Sequence, residues 1–359
     1  MVDSDKKNCA VIYNRAHTGH KPLTLSPENP ERLTKIMDFL TEEADVFDGH
    51  CYLFDDFSPA AEEDALLVHE RRYIDFIKNY CQQGGGFLGD STYLNKKSYD
   101  YALLAAGGAK RAALEVLEGP FHSSFALIRP PGHHASSDSY GGYCILNNAA
   151  ILARYLQKEK GLSRIMIVDW DCHAADGTMK IFYEDPSVLT VSLHRDPIDF
   201  YPYNGFANQI GARTGRGGNV NIIMPKTSGD EEYILAMKEI VIPIYRQFDP
   251  DFVIGGNGFD AHFSDEQTKM RMTSRGYYNL VSALRKEAAG KLTLLLEGGY
   301  TRYNGILTYA VITALKGEEL PYTNELDVQS DALFREKPRK LFEEHLKELK
   351  EILIGIYKL

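Results

Sequence analysis

The segment Ile165-Met166-Ile167-Val168-Asp169-Trp170-Asp171-Cys172-His173 places an apolar run directly before three carboxylate or imidazole side chains. An apolar run without polar alternation is typical of a strand buried on both faces, as in a parallel sheet between layers of helices. In such a sheet, ligands bind at the carboxyl ends of the strands. The segment therefore predicts both the fold class and the edge of the sheet where the chemistry takes place.

Further apolar runs of this kind alternate with segments of helical periodicity. The predicted strands are Ala10–Tyr13, Cys51–Phe54, Ser124–Ile128, Ile165–Asp169, Val188–His194, Val220–Ile223, Phe252–Gly255 and Leu292–Leu296. The predicted helices are Pro30–Thr41, Arg71–Cys81, Tyr99–Leu117, Asn147–Lys160, Glu231–Phe248 and Ser274–Ala289. Alternating strands and helices predict one doubly wound α/β domain over residues 1–359. An amphipathic helix over about 338–359 follows, which packs on this domain or on another subunit.

The composition excludes several classes of protein. The chain has 359 residues, 44% hydrophobic and 25% charged, and its formal net charge of −10 argues against a direct nucleic-acid binder. No apolar stretch is long enough to predict a membrane-spanning helix, and Met1–Lys7 does not resemble a signal peptide. The five cysteines are scattered without a CxxC pair, so we expect free thiols and a cytoplasmic protein without membrane contact.

Residues with the chemistry of metal ligands follow two of the strands. Asp171 and His173 are two residues apart at a strand end, so their side chains leave on the same face. A carboxylate oxygen and an imidazole nitrogen suit a catalytic zinc ion or a similar metal. Asp260, after the glycine-rich end of another strand, could add a second carboxylate and leave one position open. Asp169, two residues before Asp171 at the end of the strand, points to the same face and could bind a second ion or orient a histidine.

Two further strand ends carry groups suited to acid–base chemistry. His133 and His134 stand in a loop stiffened by prolines, where two imidazoles can divide acid, base and electrostatic roles. Tyr300 follows two glycines, on a turn from which its phenol could donate to a developing oxyanion. Each motif alone is explained as well by a surface loop or a packed turn. Four compatible motifs at four strand ends indicate one active site.

Five segments, in their order along the chain, carry a family resemblance. They are His17…His20…Pro27-Glu28-Asn29-Pro30-Glu31-Arg32-Leu33, Leu103-Leu104-Ala105-Ala106-Gly107-Gly108-Ala109, Arg129-Pro130-Pro131-Gly132-His133-His134-Ala135, Gly141-Gly142-Tyr143-Cys144-Ile145-Leu146-Asn147-Asn148 and Val191-Ser192-Leu193-His194. The chain resembles the zinc-dependent histone deacetylase superfamily, which includes acetylpolyamine amidohydrolases and acetoin-utilization proteins. The resemblance runs from about Val11 to Gly317. It implies the arginase–deacetylase α/β fold, with an eight-stranded and mostly parallel sheet, and an amidohydrolase activity.

The resemblance also implies a role for each matching residue. One Zn²⁺ per chain would be bound by Asp171, His173 and Asp260. The implied catalytic residues are His134 as general base, His133 as its electrostatic partner, Tyr300 as oxyanion donor, Asp169 as the partner of His133 and Asp176 as the partner of His134. A structural K⁺ would be held by Asp169, Asp171, His173, Ser192 and Leu193.

The implied substrate tunnel is less sharply defined. Positions that match its wall and rim are Gly142, Tyr143, Tyr201, Asp90 and Gln267, although the acidic rim residue falls at either Asp90 or Ser91. The sequence departs from the family pattern at Ala174-Ala175, in place of a histidine and a glycine. It departs again at Asp265-Glu266-Gln267, in place of Asp-Pro-Leu.

The substrate stays open at this point. An acetylated lysine of a protein or peptide is the first expectation, and an acetylated polyamine or another small N-acyl amine is the alternative. The charge of −10 fits either cationic partner. A ureohydrolase of the arginase type needs a second closely spaced aspartate, but Ala261-His262 follows Asp260. A non-catalytic acyl-lysine binder is disfavoured because both histidines and Tyr300 are present, and a homo-oligomer that narrows access is left open.

Overall fold

The computed structural model describes residues 8–22, 24–44, 46–47, 49–321 and 336–359, so Met1–Lys7 lie outside it. Its strands are β1 (Asn8–Ile12), β2 (Cys51–Phe54), β3 (Gly85–Gly89), β4 (Thr92–Asn95), β5 (Phe121–Ala126), β6 (Ile165–Asp169), β7 (Val188–Arg195), β8 (Asn219–Met224), β9 (Phe252–Asn257) and β10 (Leu292–Leu296). Eight of them form one parallel sheet in the order β2-β1-β5-β10-β9-β6-β7-β8. The remaining two, β3 and β4, form an antiparallel hairpin.

The helices cover both faces of this sheet. They are α1 (Glu31–Asp38), α2 (Glu62–Ala65), α3 (Arg71–Gln82), α4 (Ser98–Leu117), α5 (Asn148–Lys160), α6 (Asp176–Phe182), α7 (Asp230–Ala236), α8 (Ile242–Phe248), α9 (Ser274–Ala288), α10 (Asn304–Lys316) and α11 (Glu336–Ile352). Met166 and Val168 of β6 pack in one hydrophobic cluster, and Ile165 and Ile167 pack in another. Successive strand residues point to opposite faces, so the apolar run of β6 is explained by burial on both sides.

All eight predicted strands of the parallel sheet are confirmed, and the largest shift in position is at β5. The strand predicted as Ser124–Ile128 runs instead over Phe121–Ala126. Leu127 and Ile128 are fully buried, and Leu127 N–H still donates to Ile12 O (2.8 Å), but no strand continues past Arg129, where Pro130 and Pro131 follow. These prolines have no N–H to continue the ladder of hydrogen bonds.

Three helical regions differ from the prediction. The α10 helix was not predicted because nearly all of it is buried, so it has no polar face to produce a helical period. The predicted helix Glu231–Phe248 is α7 and α8 joined through a π-helical turn at Met237–Val241. The C-terminal helix begins at Glu336 and ends at Ile352, before the predicted end at residue 359.

The C-terminal helix packs on its own sheet. Phe342 and Leu346 of α11 belong to the same hydrophobic cluster as Val220 and Ile222 of the edge strand β8. His345 Nδ1 lies 3.1 Å from the main-chain oxygen of Ile223. The amphipathic helix therefore packs against the edge strand of its own sheet.

Two further expectations concern the whole described chain. All five cysteines are free and buried, as predicted. Among the described residues, no helix combines the length and the apolar character that crossing a membrane requires.

Candidate active site

The four strands whose ends carry the predicted residues are consecutive neighbours at the centre of the sheet, in the order β5, β10, β9 and β6. Their carboxyl ends therefore meet at one edge, as the parallel-sheet rule requires. A cavity of about 390 Å³ opens there. It is lined by Ser91, Pro131, His133, His134, Gly142, Tyr143, Asp171, His173, Asp199, Phe200, Tyr201, Tyr203, Asp260, Asp265, Gln267, Thr268, Gly298 and Tyr300.

The three predicted zinc ligands lie together at the floor of this cavity. Each of Asp171, His173 and Asp260 offers a ligand atom, and these atoms lie within 4.8 Å of one another. His173 Nδ1 is 3.1 Å from Asp171 Oδ1 and 2.8 Å from Asp260 Oδ2. The two carboxylates are buried, and the His173 side chain is 24% exposed. Two carboxylates and one imidazole beside an open cavity fit a catalytic zinc ion, which takes three protein ligands and keeps a fourth position free.

Main-chain groups hold the two carboxylates in place. Asp171 Oδ2 accepts a hydrogen bond from Gly298 N–H (2.7 Å), and Asp260 Oδ1 accepts one from Cys172 N–H (2.8 Å). A Cβ at Gly258 or Gly298 would collide with Asp171 Oδ2, so the glycines of both loops are needed for this close approach. Burial and the Asp171 charge raise the pKa of Asp260 to about 7, because two buried carboxylates so close together disfavour each other's ionised form.

The two histidines of the loop after β5 have pKa values shifted in opposite directions. Burial, followed by the charge of His133, lowers the pKa of His134 to about 4. Burial alone would also lower the pKa of His133, but the carboxylates of Asp171 and Asp169 raise it well above its usual value. The ring centroids are 4.1 Å apart. Two neighbouring imidazoles, one neutral and one protonated, are the arrangement that divides base and electrostatic roles.

Each of these histidines faces its own aspartate. His134 Nδ1 and Asp176 Oδ1 are 2.8 Å apart, and His133 Nδ1 lies 3.3 Å from Asp169 Oδ2. Lys180 donates to the other oxygen of Asp176 (2.7 Å). An acceptor at Nδ1 keeps the proton on that nitrogen of a neutral ring, which leaves Nε2 free to accept one.

Tyr300 lies at the cavity on the turn after β10. The residue before it, Gly299, has φ +103°, and a Cβ there would meet Phe259, so the turn needs glycine. Burial raises the pKa of Tyr300 well above its usual value, so the phenol stays a hydrogen-bond donor at neutral pH. Arg32 stacks 4.9 Å above its ring and donates through Nε to Gly299 O (2.7 Å).

Four of the five predicted tunnel residues line the cavity, and the fifth, Asp90, contacts one of them. Gly142, Tyr143, Tyr201 and Gln267 line it. At the uncertain rim position it is Ser91 that lines the cavity. The carboxylate of the exposed Asp90 accepts a hydrogen bond from Tyr201 O–H (2.7 Å), and so holds this wall residue in place.

The potassium site stays a prediction. Asp169 Oδ1 accepts a hydrogen bond from Asp171 N–H (2.9 Å), and Ser192 Oγ lies 2.8 Å from His194 Nδ1. Leu193, which stands between Ser192 and His194 in the chain, is fully buried. These contacts join Asp169 to Asp171 and Ser192 to His194 but do not test for an ion.

Comparison with known proteins agrees with this geometry. A sequence model described as the histone deacetylase domain matches residues 26–315. The chain belongs to the histone deacetylase family. It is therefore a hydrolase of the deacetylase type, which excludes the arginase-type alternative.

Individual relatives share much of the chain. A probable deacetylase of Archaeoglobus fulgidus is 38% identical over 322 residues, which cover 88% of this chain and 88% of the relative. A histone deacetylase-like amidohydrolase of Pseudomonas aeruginosa is 33% identical, covering 89% of this chain and 85% of the relative. Histone deacetylase HDA1 of Saccharomyces cerevisiae is 38% identical over 76% of this chain, but only 42% of that protein is covered. The crystal structure of the HDA15 HD domain superposes with a TM-score of 0.83 at 32% identity, covering 98% of this chain and 99% of that one.

Three residues of the site were missed in the sequence. Phe200 stacks on His173, with ring centroids 4.6 Å apart. The guanidinium of Arg195 lies over the Phe200 ring, 4.3 Å from its centroid. Arg195 also donates to Thr268 O (3.1 Å), in the loop after Asp260. The available signals were an arginine at the end of a buried strand and an aromatic pair, Phe200-Tyr201, shortly beyond it. The third missed residue is Glu297, which belongs to the same motif as Tyr300.

Proposed function

We propose that the chain is a zinc-dependent deacetylase that removes acetyl groups from N-acetyl-lysine of proteins or peptides. The observation that carries the proposal is the position of His133 and His134, with opposite pKa shifts, beside the cluster of Asp171, His173 and Asp260. A base, a cationic partner and a metal-ligand set within one cavity are what amide hydrolysis by water requires.

In this proposal the metal is held by Asp171, His173 and Asp260. Zinc at such a site supplies Lewis acidity, which polarises an amide carbonyl and lowers the pKa of water towards 7. The partly exposed face of His173 leaves that side of the cluster open to the cavity.

The side chains of the cavity divide the proton transfers. His134, neutral because of its lowered pKa, accepts a proton from the attacking water through Nε2 and returns it to the leaving amine. His133 stays protonated and stabilises the negative charge that develops on the former carbonyl oxygen. Tyr300 donates its phenolic hydrogen to the same oxygen. The sum is amide plus water to acetate plus the protonated amine.

The cavity wall suits a straight alkyl chain. Tyr143, Phe200 and Tyr201 line it with aromatic rings, which contact methylene groups and exclude water. A lysine side chain reaches such a floor with four methylenes while its main chain stays at the mouth.

One observation favours the alternative of an acetylated polyamine. Asp265 lines the cavity, is only 7% exposed and takes part in no ion pair among the described residues. It accepts only main-chain hydrogen bonds, such as that from Gln267 N–H (3.0 Å). A second ammonium group within the substrate would neutralise this buried carboxylate.

The test compares turnover of an acetyl-lysine peptide and of acetylspermidine at matched concentration. We expect the peptide to be the better substrate, and we expect its turnover to be lost after chelation and in His134→Ala. The exposed His50→Ala serves as the matched control and should retain full activity. Activity that survives both chelation and His134→Ala would refute the chemistry. Preference for acetylspermidine that is lost in Asp265→Asn would establish the alternative.

A further inference from the structure

A buried carboxylate contacts the histidine loop from the end of the neighbouring strand. Glu297 directly follows β10 and has no exposed surface. Its Oε2 accepts hydrogen bonds from the main-chain N–H groups of Gly132 (2.8 Å) and His133 (3.3 Å). Its Oε1 has no hydrogen-bond partner among the described residues. The carboxylate therefore binds the backbone of the loop that carries both catalytic histidines.

The loop has few other means of satisfying these two N–H groups. Residues 129–134 lie in neither a helix nor a strand, and the two residues before Gly132 are prolines. Because an unpaired buried N–H costs about 1–3 kcal/mol, loss of the Glu297 acceptor would favour rearrangement of the loop. A displacement of the main chain at His133 moves both imidazoles, since the two residues are adjacent.

The same strand end holds two other parts of the site. Gly298 N–H donates to the ligand Asp171, and Tyr300 follows two residues later. Glu297 O and Gly298 O accept hydrogen bonds from the buried guanidinium of Arg32. One segment of four residues thus contacts the histidine loop, a metal ligand and the turn of the oxyanion donor.

We propose that Glu297 is a positioning residue, whose Oε2 sets the distance of His133 and His134 from Asp171 and Tyr300. The inference rests on the proposed function and adds to it the residue that aligns its acid–base pair. The role belongs to the acceptor oxygen, and glutamine can supply the same oxygen.

The experiment compares Glu297→Ala and Glu297→Gln with a matched control. Glu232 is also a buried glutamate, 5% exposed, whose Oε2 accepts a main-chain N–H, that of Gly229 (2.8 Å), at the start of α7. For Glu297→Ala we expect kcat to fall about 10- to 100-fold, with KM and bound zinc unchanged. We expect Glu297→Gln to restore most of this loss. We expect Glu232→Ala to lower the melting temperature without a matching fall in kcat.

A second readout does not depend on turnover. Long-range ¹H–¹⁵N spectra of the imidazoles should show His133 and His134 signals shifted in Glu297→Ala and retained in Glu297→Gln. Unchanged kcat and unchanged spectra in Glu297→Ala would overturn the inference, as would equal losses in Glu297→Gln and Glu297→Ala. Absence of deacetylase activity in the zinc-loaded wild type would overturn the proposed function alone, because the spectra still report on the loop.

Discussion

Removal of the Asp176 charge should weaken His134 as a base and move the acidic limb of the pH–rate profile downwards. The two side chains are 4% and 9% exposed, and Nδ1 lies 2.8 Å from Oδ1, so little solvent screens the contact. A hydrogen bond to a charged group contributes about 1.5–3 kcal/mol. At 1.36 kcal/mol per factor of ten, Asp176→Asn should lower kcat about 10- to 150-fold.

The direction of the pH shift follows from the charges. Burial lowers the pKa of His134, and Asp176 partly offsets this because its carboxylate favours the imidazolium. Without that carboxylate the pKa falls further below about 4. A general base acts in its neutral form, so activity should persist to lower pH in Asp176→Asn while the maximal rate decreases.

The assay is kcat and kcat/KM for an acetyl-lysine peptide across pH, with Lys180→Met as the control. Lys180 donates to the other oxygen of Asp176, and its side chain is 50% exposed, so its loss should change kcat little. An acidic limb that moves to higher pH in Asp176→Asn, or a kcat equal to wild type, would refute this account of the pair.

Further predictions concern the oxyanion donor, the cavity wall and the metal. Tyr300→Phe removes one donor and should lower kcat about 10²- to 10³-fold without changing KM, as steady-state kinetics would show. Arg195→Lys keeps a positive charge but loses the planar stack on Phe200, so KM should rise more than kcat falls; the reverse pattern would contradict a role in the wall. Dialysis against a chelator should abolish turnover, and titration with Zn²⁺ should restore it at one equivalent per chain. Restoration only at two equivalents would contradict a single three-ligand site.

The strand ends were predictable because local pattern decides them. The apolar run of β6 followed by Asp171 and His173 identifies a strand buried on both faces and a polar end. The parallel-sheet rule then places Asp260 and Tyr300 at the same edge without knowledge of the strand order. The α10 helix was not predictable in this way, because burial all round removes the polar face on which helical periodicity depends.

The contacts of Glu297 and Arg195 could not be predicted from local pattern. Glu297 bonds to Gly132, 165 residues earlier in the chain, and Arg195 donates to Thr268, 73 residues later. Such contacts depend on which strands are neighbours, and the order β5-β10-β9-β6 differs from the order in sequence. The rim of the cavity was also not predictable from local pattern. The turn between β3 and β4 decides that Ser91 lines the cavity and that Asp90 accepts a hydrogen bond from Tyr201.

By itself the sequence determined the strands of the parallel sheet, the sheet edge, and the metal-binding and acid–base character of the site residues, because these depend on short-range pattern and on side-chain chemistry. The amidohydrolase activity was implied by the family resemblance. Only the tertiary structure decided that the pKa of His133 is raised and that of His134 is lowered. That difference arises from burial and from carboxylates on other strands, and electrostatic interactions depend on distance in space and not on separation along the chain.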